Sequence, residues 1–253
     1  MSLICSDHPQ AYSLPIKLFG CGRLPLPGQP GISVFDIQAR IGQSSPEIHA
    51  FFPRNLTLRQ TIENAWAETF LGTPNFNTNE DAVIVDTILQ WFECELNSHH
   101  SLLATKNAMG THWADKTYFR DISFSSQRVA LFLRALAKKP ELIVLDEAFS
   151  GMDEAVRDKC MRFLVCGNAP SSYDTSHHEK RDSSERAMPR VHIDGLTADQ
   201  ALICISHVQE EVPDVVREWM CLPEAGNGKP ARFGRLNEPL QGDESRWKQI
   251  WGA

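Results

Sequence analysis

Residues 123–153 read SFSSQRVALFLRALAKKPELIVLDEAFSGMD and carry the clearest structural signal in the chain. Their first half has apolar residues at three- and four-residue spacing, which predicts a helix from Ser126 to Lys138. The short apolar run Leu142–Leu145 follows Pro140 and stops at an acid, which is typical of a buried parallel strand. A second helix is predicted from about Asp153 to Leu164. The order helix, strand, helix favours an α/β fold with a mainly parallel sheet.

The rest of the chain extends this pattern on both sides. Ala201–Ser206 is a second buried-strand candidate, whereas helical periodicity dominates residues 57–138. We therefore predict an α/β core formed by residues 1–56 and 139–253, with residues 57–138 as an inserted helical subdomain. Residues 167–199 are polar with few apolar positions, which predicts an exposed insertion or disordered loop.

Local patterns predict three further elements. Ile32–Ile41 is a candidate strand or helix start that ends at Gly42. A helix is predicted from Leu58 to Phe70, with Gly72 as its stop, and another from Glu80 to Leu96. The apolar stripes of these helices are interpreted as core packing.

Composition excludes several classes of protein. The 253 residues are 42% hydrophobic and 23% charged with a net charge of -7, so the chain can bury a core and lacks the basic character of a dedicated nucleic-acid binder. No apolar run approaches the roughly 18–20 residues of a membrane span, and no secretory signal is visible. Seven cysteines without a C-x-x-C pair favour reduced thiols in a cytoplasmic compartment. The histidine doublets at 99–100 and 177–178 have no neighbouring ligand cluster, which argues against a metal site there.

The acid pair Asp146-Glu147 is the main candidate for chemistry. At the carboxyl end of a parallel strand, both carboxylates would lie at the crevice where such sheets bind ligands. Asp146 is suited to hold Mg²⁺, directly or through water, and Glu147 to orient or deprotonate an attacking water. Acids are also favoured where a strand leads into a helix, so the pair alone leaves a purely structural role open.

Several motifs, taken in order, resemble those of the nucleotide-binding domain of ABC-type ATPases. Residues 141–147 look like the Walker B strand, and residues 150–153 look like the D-loop. Residues 122–126, followed by Gln-Arg and a helix, look like a degenerate signature motif. His207, directly after the second predicted strand, looks like the switch histidine.

The resemblance implies a P-loop NTPase-like fold, an ATPase activity and specific site residues. Asp146 would be the magnesium residue, with Glu147 as catalytic base and His207 as a second catalytic residue. The signature and D-loop would face the nucleotide of a partner, through Ser123, Ser125 and Asp153. ATP and Mg²⁺ are the implied cofactors, and a second ABC domain in a head-to-tail dimer is the implied partner.

The region from residue 41 to 67, IGQSSPEIHAFFPRNLTLRQTIENAWA, most resembles a soluble fungal branch of the family. That branch is similar to bacterial ABC proteins linked by name to molybdate transport and photorepair. The signature departs from the family pattern, because Ser125 replaces a glycine and Ser126 replaces a glutamine. Serine still offers an N–H and a hydroxyl to a phosphate, so the departure weakens the role without removing it. In the Q-loop segment, the expected glutamine position falls on Pro46 and Gln43 lies three residues early.

No G-x-x-x-x-G-K-[ST] phosphate loop occurs in the 253 residues. Gly20-Cys21-Gly22 lacks the lysine, and Gly226-Asn227-Gly228-Lys229 is followed by proline. The first residues, MSLICSDHP, are similar to those that come just after the phosphate loop in the family. A chain truncated a few residues after this loop is the simplest interpretation, and tight ATP binding is then not expected.

Three interpretations of function stay open at this point. The first is an ABC-type ATPase whose hydrolysis drives opening and closing of a head-to-tail dimer. The second is a non-enzymatic ABC-fold chain that completes the ATP site of another subunit. The third, coupling to transport, would need a separate membrane subunit.

Overall fold

The computed structural model describes residues 16–97, 110–169, 191–223, 226, 228–240 and 244–251. The strands are β1 Lys17–Leu18, β2 Cys21–Gly22, β3 Ile41–Ser44, β4 Leu142–Asp146, β5 Ala201–Ile205, β6 Glu218–Cys221 and β7 Arg232–Arg235. The helices are α1 Val34–Arg40, α2 Pro46–Phe51, α3 Leu58–Glu63, α4 Asn79–Trp91, α5 Glu93–Leu96, α6 His112–Lys116, α7 Phe124–Ala137, α8 Glu154–Cys166 and α9 Glu244–Trp251. Short 3₁₀ turns cover Asn64–Trp66, Phe119–Asp121 and Gln209–Glu211.

A parallel three-stranded sheet in the order β3-β4-β5 lies at the centre of the described fold. Its register pairs Ser44 with Leu145 and Asp146 with Ile205, so all three strands end at the same edge. The strands β1–β2 and β6–β7 form separate antiparallel pairs. The predicted α/β class with a parallel sheet is confirmed.

The central strand β4 is apolar because both of its faces are covered. Ile143 and Leu145 belong to the main core cluster, which extends through the helices from Phe52 to Phe163. Leu142 and Val144 point to the opposite face and pack with a smaller cluster. This alternation explains why the strand shows an unbroken apolar run instead of a polar–apolar pattern.

Helix α7 lies directly against β3, and Gly42 makes this approach possible. A Cβ atom at Gly42 would lie 1.8 Å from the carbonyl oxygen of Ala135 and 2.7 Å from Cγ of Pro140. No side chain fits in that space, so glycine is required by packing.

Three sequence predictions of local structure are corrected. For Ile32–Ile41 the helix alternative is confirmed, since a capping box of Ser33 and Asp36 starts helix α1, but the expected end at Gly42 is wrong because the chain continues there as β3. The helix predicted to reach Phe70 ends at Trp66, where Asn64 Nδ2 binds the carbonyls of Thr69 and Phe70 and closes a loop.

The predicted helix from Glu80 to Leu96 is interrupted at Phe92, whose backbone leaves the helical conformation. Most of the predicted polar insertion (residues 170–190) and both histidine doublets lie outside the described residues. The division into a core and a helical subdomain stays a prediction.

Candidate functional site

Glu147 and His207 come together at the carboxyl edge of the sheet. Asp146 ends β4, Glu147 follows it, and His207 lies two residues after the end of β5. Because β4 and β5 are parallel neighbours, both chain segments leave the sheet on the same side. His207 Nδ1 lies 3.1 Å from Glu147 Oε1, and the two side chains are 62% and 38% exposed. The Glu147 carboxylate and the His207 imidazole thus meet at a surface that a ligand can reach.

The backbone of Glu147 is held in the left-handed region, with φ of 46°. Such a conformation costs a non-glycine residue about 1–3 kcal/mol and persists only where the surroundings fix it. Its N–H donates to the carbonyl of Ile205 at 2.9 Å, and its carbonyl accepts from the N–H of Ser150 at 3.2 Å. The side chain of Arg128 also donates to this carbonyl. Hydrogen bonds to the N–H and to the carbonyl of Glu147 therefore fix the backbone from which its carboxylate projects.

Arg128 contacts the backbone of the candidate site, and sequence reasoning gave it no role. Its side chain is buried beneath the turn, and its Nε donates to the carbonyl of Ser150 at 3.2 Å. Burial lowers the pKa of its guanidinium, and the charges of Glu147, Glu211 and Asp146 partly oppose that effect. A charged residue on the apolar face of a predicted helix was the signal that could have revealed it.

Asp146 lies in a negative environment. Burial, followed by the charges of Glu47 and Glu147, raises the pKa of its carboxyl group. Glu47, in the first turn of α2, was also missed, because nothing in the sequence brings it to the end of β4. Excess negative charge beside a half-buried carboxylate suits a divalent cation that takes oxygen ligands.

The described residues contain no group of three or more His, Cys, Asp or Glu side chains arranged as a metal site. Mg²⁺ is usually bound by one or two carboxylates together with substrate phosphates and water, so a single aspartate is compatible with it. Asp146 fits that requirement, and it would depend on a phosphate ligand to complete the coordination shell.

The turn that carries His207 is held by Ser206. Its Oγ accepts from the N–H of Val208 at 3.0 Å and lies 3.0 Å from Oε2 of Glu211, which is buried. The imidazole is therefore presented by a hydrogen-bonded turn at the end of β5.

The signature and D-loop segments are neighbours at the starts of α7 and α8. Ser123 caps α7 by accepting from the N–H of Ser126 at 3.1 Å, and the hydroxyl of Ser126 donates to the carbonyl of Glu95. The exposed ring of Phe124 packs so close to Gly151 that a Cβ there would lie 2.5 Å from the ring.

Ser123 and Asp153 are exposed, and Ser125 is half-buried. Within the described part of the chain, no hydrogen bond or ion pair joins these three residues to Glu147 or His207. The structure therefore brings together the predicted catalytic pair, whereas no bond of the described residues links the predicted nucleotide-contacting residues to that pair.

The segment predicted as a Q-loop forms the start of α2. Ser45 caps this helix and Pro46 occupies its first turn, whereas Gln43 lies within β3. From α2, His49 Nε2 contacts Gln127 Oε1 at 2.8 Å, and Gln127 Nε2 donates to the carbonyls of Phe119 and Ile122. The contact between His49 and Gln127 links α2, which follows β3, to α7, which follows the signature.

Comparison with known proteins finds relatives that all carry the same kind of name. No family model matches the chain. It is 32% identical over 216 residues to an uncharacterised ABC transporter ATP-binding protein of Schizosaccharomyces pombe, covering 85% of this chain and 34% of the relative. A similar protein of Saccharomyces cerevisiae is 30% identical over 65% of this chain and 28% of its own length. The ABC transporter ATP-binding protein ModF of Escherichia coli is 28% identical over 85% of this chain and 36% of its own length.

The parallel sheet with an acid pair at its carboxyl edge defines an α/β domain of the kind that binds ligands at that edge. Together with the similarity over most of its length, they show that the chain belongs to the ABC transporter ATP-binding family. The chain spans about a third of the length of the curated relatives it matches. None of the helices in the described residues is long and apolar enough to cross a membrane.

Proposed function

We propose that this chain supplies the magnesium-and-base half of an ABC-type ATP hydrolysis site. The observation that carries the proposal is the 3.1 Å contact between His207 Nδ1 and Glu147 Oε1 at the carboxyl edge of the sheet. A carboxylate that accepts from an imidazole can orient an attacking water and receive its proton. The cytoplasm, where ATP is available and thiols stay reduced, is the compartment we propose for it.

Each residue of the pair has a distinct task in this proposal. Glu147 acts as the base, and His207 fixes the orientation of its carboxylate. Asp146 is the ligand for Mg²⁺, which when bound neutralises phosphate charge during phosphoryl transfer. Arg128 positions Glu147 through its peptide carbonyl and does not itself contact substrate.

Hydrolysis also needs a phosphate loop, and the 253 residues contain none. Without the backbone N–H cradle and the lysine of such a loop, the acids repel the polyphosphate. We expect isothermal titration of the 253-residue chain with Mg-ATP to show binding no tighter than about 1 mM, or roughly 4 kcal/mol. Micromolar binding would mean that another segment replaces the loop.

The catalytic assignment is tested in a chimera in which a strand and phosphate loop from a family ATPase precede residue 1. Glu147→Gln should lower turnover by about 100-fold or more while ATP binding is retained. Glu154→Gln, at an exposed acid in the first turn of α8, is the matched control and should leave turnover unchanged. Normal turnover of the Glu147→Gln chimera would show that the base lies elsewhere.

A second function is favoured by the exposure of the signature and D-loop residues. Ser123 and Asp153 are accessible at the starts of α7 and α8, so this surface could complete the ATP site of a partner in a head-to-tail dimer. The chain would then act without hydrolysing ATP itself.

Mixing the chain with a family homologue that carries a phosphate loop tests this second function. Stimulated ATPase activity should be lost with Ser123→Arg, because a bulky cation would block the interface. Ser123→Ala also removes the helix cap, so it controls for destabilisation of α7. Equal stimulation by the Arg variant and the unsubstituted chain would contradict the partner role.

A further inference from the structure

A cleft lies between the start of β3, the end of α7 and the loop after the Asn64–Trp66 turn. It has a volume of about 420 Å³. Apolar side chains such as Ile41 and Phe70 line part of it, and Arg134 and Lys138 line the rest. It includes neither Asp146 nor Glu147, so it is independent of the proposed ATPase site.

Among the described residues, the hydrogen bonds of both cations in this cleft go to neutral oxygen atoms. Arg134 Nε donates to Oδ1 of Asn64 at 2.8 Å, and Lys138 Nζ donates to the carbonyl of Gln38 at 3.1 Å. No carboxylate of the described residues forms an ion pair with either of them. Arg134 lies in the last turn of α7 and Lys138 caps its end four residues later, so both side chains line the same cleft.

The arrangement is electrostatically unfavourable without an anion. Burial, followed by the charge of Arg134, lowers the pKa of Lys138 to about 8, and burial lowers the pKa of Arg134 to about 10. The centroids of the Phe52 and Phe70 rings lie 5.7 and 5.3 Å from the Arg134 guanidinium. These cation–π contacts offset part of the free-energy cost of burying its charge. No aromatic ring of the described residues lies over Lys138, so its charge is the less compensated of the two.

The neighbouring charged groups do not supply the missing anion. Glu68 lines the cleft but is exposed and unpaired with either cation. The other nearby groups are already paired, Arg40 with Glu141 and Lys139 with Asp194. Both cations are half-buried and have no ionic partner among the described residues, an arrangement that a bound anion would stabilise.

We propose that this cleft binds a small organic anion whose carboxylate or phosphate group lies between Arg134 and Lys138. The planar guanidinium of Arg134 suits an oxyanion, and Lys138 adds a point charge. The apolar part of the ligand packs against Phe70 and Ile41. Gln43 and Thr69, which also line the cleft, offer further polar groups to the same ligand.

Titration of the 253-residue chain with benzoate and with inorganic phosphate, at ionic strength held constant with NaCl, tests the proposal. We expect saturable binding of at least one anion, and the tighter of the two identifies the oxyanion class. Lys138→Gln should weaken binding by about 10-fold or more, whereas Lys139→Gln should not, because Lys139 pairs with Asp194 and does not line this cleft. Absence of binding, or equal loss in both variants, would overturn the proposal.

The pH dependence gives a second readout in the unsubstituted chain. Anion binding should weaken as pH rises through about 8, because Lys138 loses its proton there. An NMR titration of the Lys138 side chain should show that saturating anion raises its pKa. An unchanged pKa at saturation would contradict the proposed contact, whether or not the Gln variant folds.

Discussion

Glu147 adopts a left-handed backbone conformation that its neighbours enforce. Ile205, Ser150 and Arg128 all bond to its peptide groups, so the carboxylate is positioned before any ligand binds. Positioning by backbone bonds costs no further ordering at the moment of reaction, which is a requirement for efficient catalysis. Two predictions at the scale of single residues follow from this arrangement and from the charge on Asp146.

Arg128→Met should destabilise the fold by about 2–4 kcal/mol, because it removes the only side-chain donors to the carbonyls of Glu147 and Ser150 found among the described residues and leaves the Glu147 carbonyl with the N–H of Ser150 alone. Urea unfolding followed by circular dichroism measures the change. Arg54→Met, at an exposed arginine, is the control and should lie within about 0.5 kcal/mol of the unsubstituted chain. Equal stability of the two variants would mean that Arg128 does not hold the turn.

Asp146→Asn should be more stable than the unsubstituted chain at pH 7. The raised pKa of Asp146 means that the folded state binds its proton more tightly than the unfolded state, so ionisation opposes folding. The difference should shrink as pH falls and disappear below the unfolded pKa of about 3.9. Urea midpoints measured between pH 3 and pH 8 test this, and a less stable Asn variant at pH 7 would contradict it.

At the scale of elements, the packing of α7 against β3 connects the sheet to the helical region. Gly42 lies where the backbone of the helix meets the strand, and α7 carries Arg128 near its start and Arg134 near its end. Helix α7 therefore supports the turn at Glu147 and lines the cleft that contains Arg134 and Lys138. A change in its distance from the sheet would alter both sites.

Gly42→Ala should destabilise the fold by about 3 kcal/mol, because the new methyl group would overlap the carbonyl of Ala135, a backbone atom that cannot rotate away. Thermal unfolding is the measurement. Gly22→Ala is the matched control, since a Cβ there would only make an ordinary contact of 3.5 Å with the carbonyl of Leu24. A small effect at Gly42 would show that α7 can move outward at little cost.

At the scale of the whole molecule, the outer edge of β5 has no strand partner in the described part of the chain. Beside it lies a cleft of about 1310 Å³, lined by apolar side chains of β5, β6, β7 and α9. Unpaired strand edges with apolar side chains are sites of association.

The chain should therefore self-associate through this edge. Ile205→Lys, at a side chain 38% exposed on β5, should shift the chain toward monomer in sedimentation velocity over a range of concentrations. Phe51→Lys, at an apolar residue 79% exposed on α2, is the control and should leave the association unchanged. Similar effects of both variants would show that association depends on general surface hydrophobicity.

Sequence patterns were sufficient to predict the parallel sheet, the helices on either side of β4, and the positions of Asp146, Glu147 and His207 at strand ends. Each depends on a local signal, since an apolar run ending in acids reports burial and chain direction within a few residues. The meeting of Glu147 and His207 was also foreseeable, because parallel strands end at one edge.

Contacts between distant segments were settled only by the tertiary structure. Arg128 reaches the carbonyl of Glu147, and Glu47 lies near Asp146, through packing that no local pattern records. Gly42 looked like the end of an element because glycine commonly marks turns, whereas here it admits the backbone of α7. Arg134 and Lys138 lie near the end of a helix in sequence, and only the fold shows that they share a cleft without an ion pair to any carboxylate of the described residues. Periodicity reports which side of an element is buried, but the partner that buries it depends on the assembled fold.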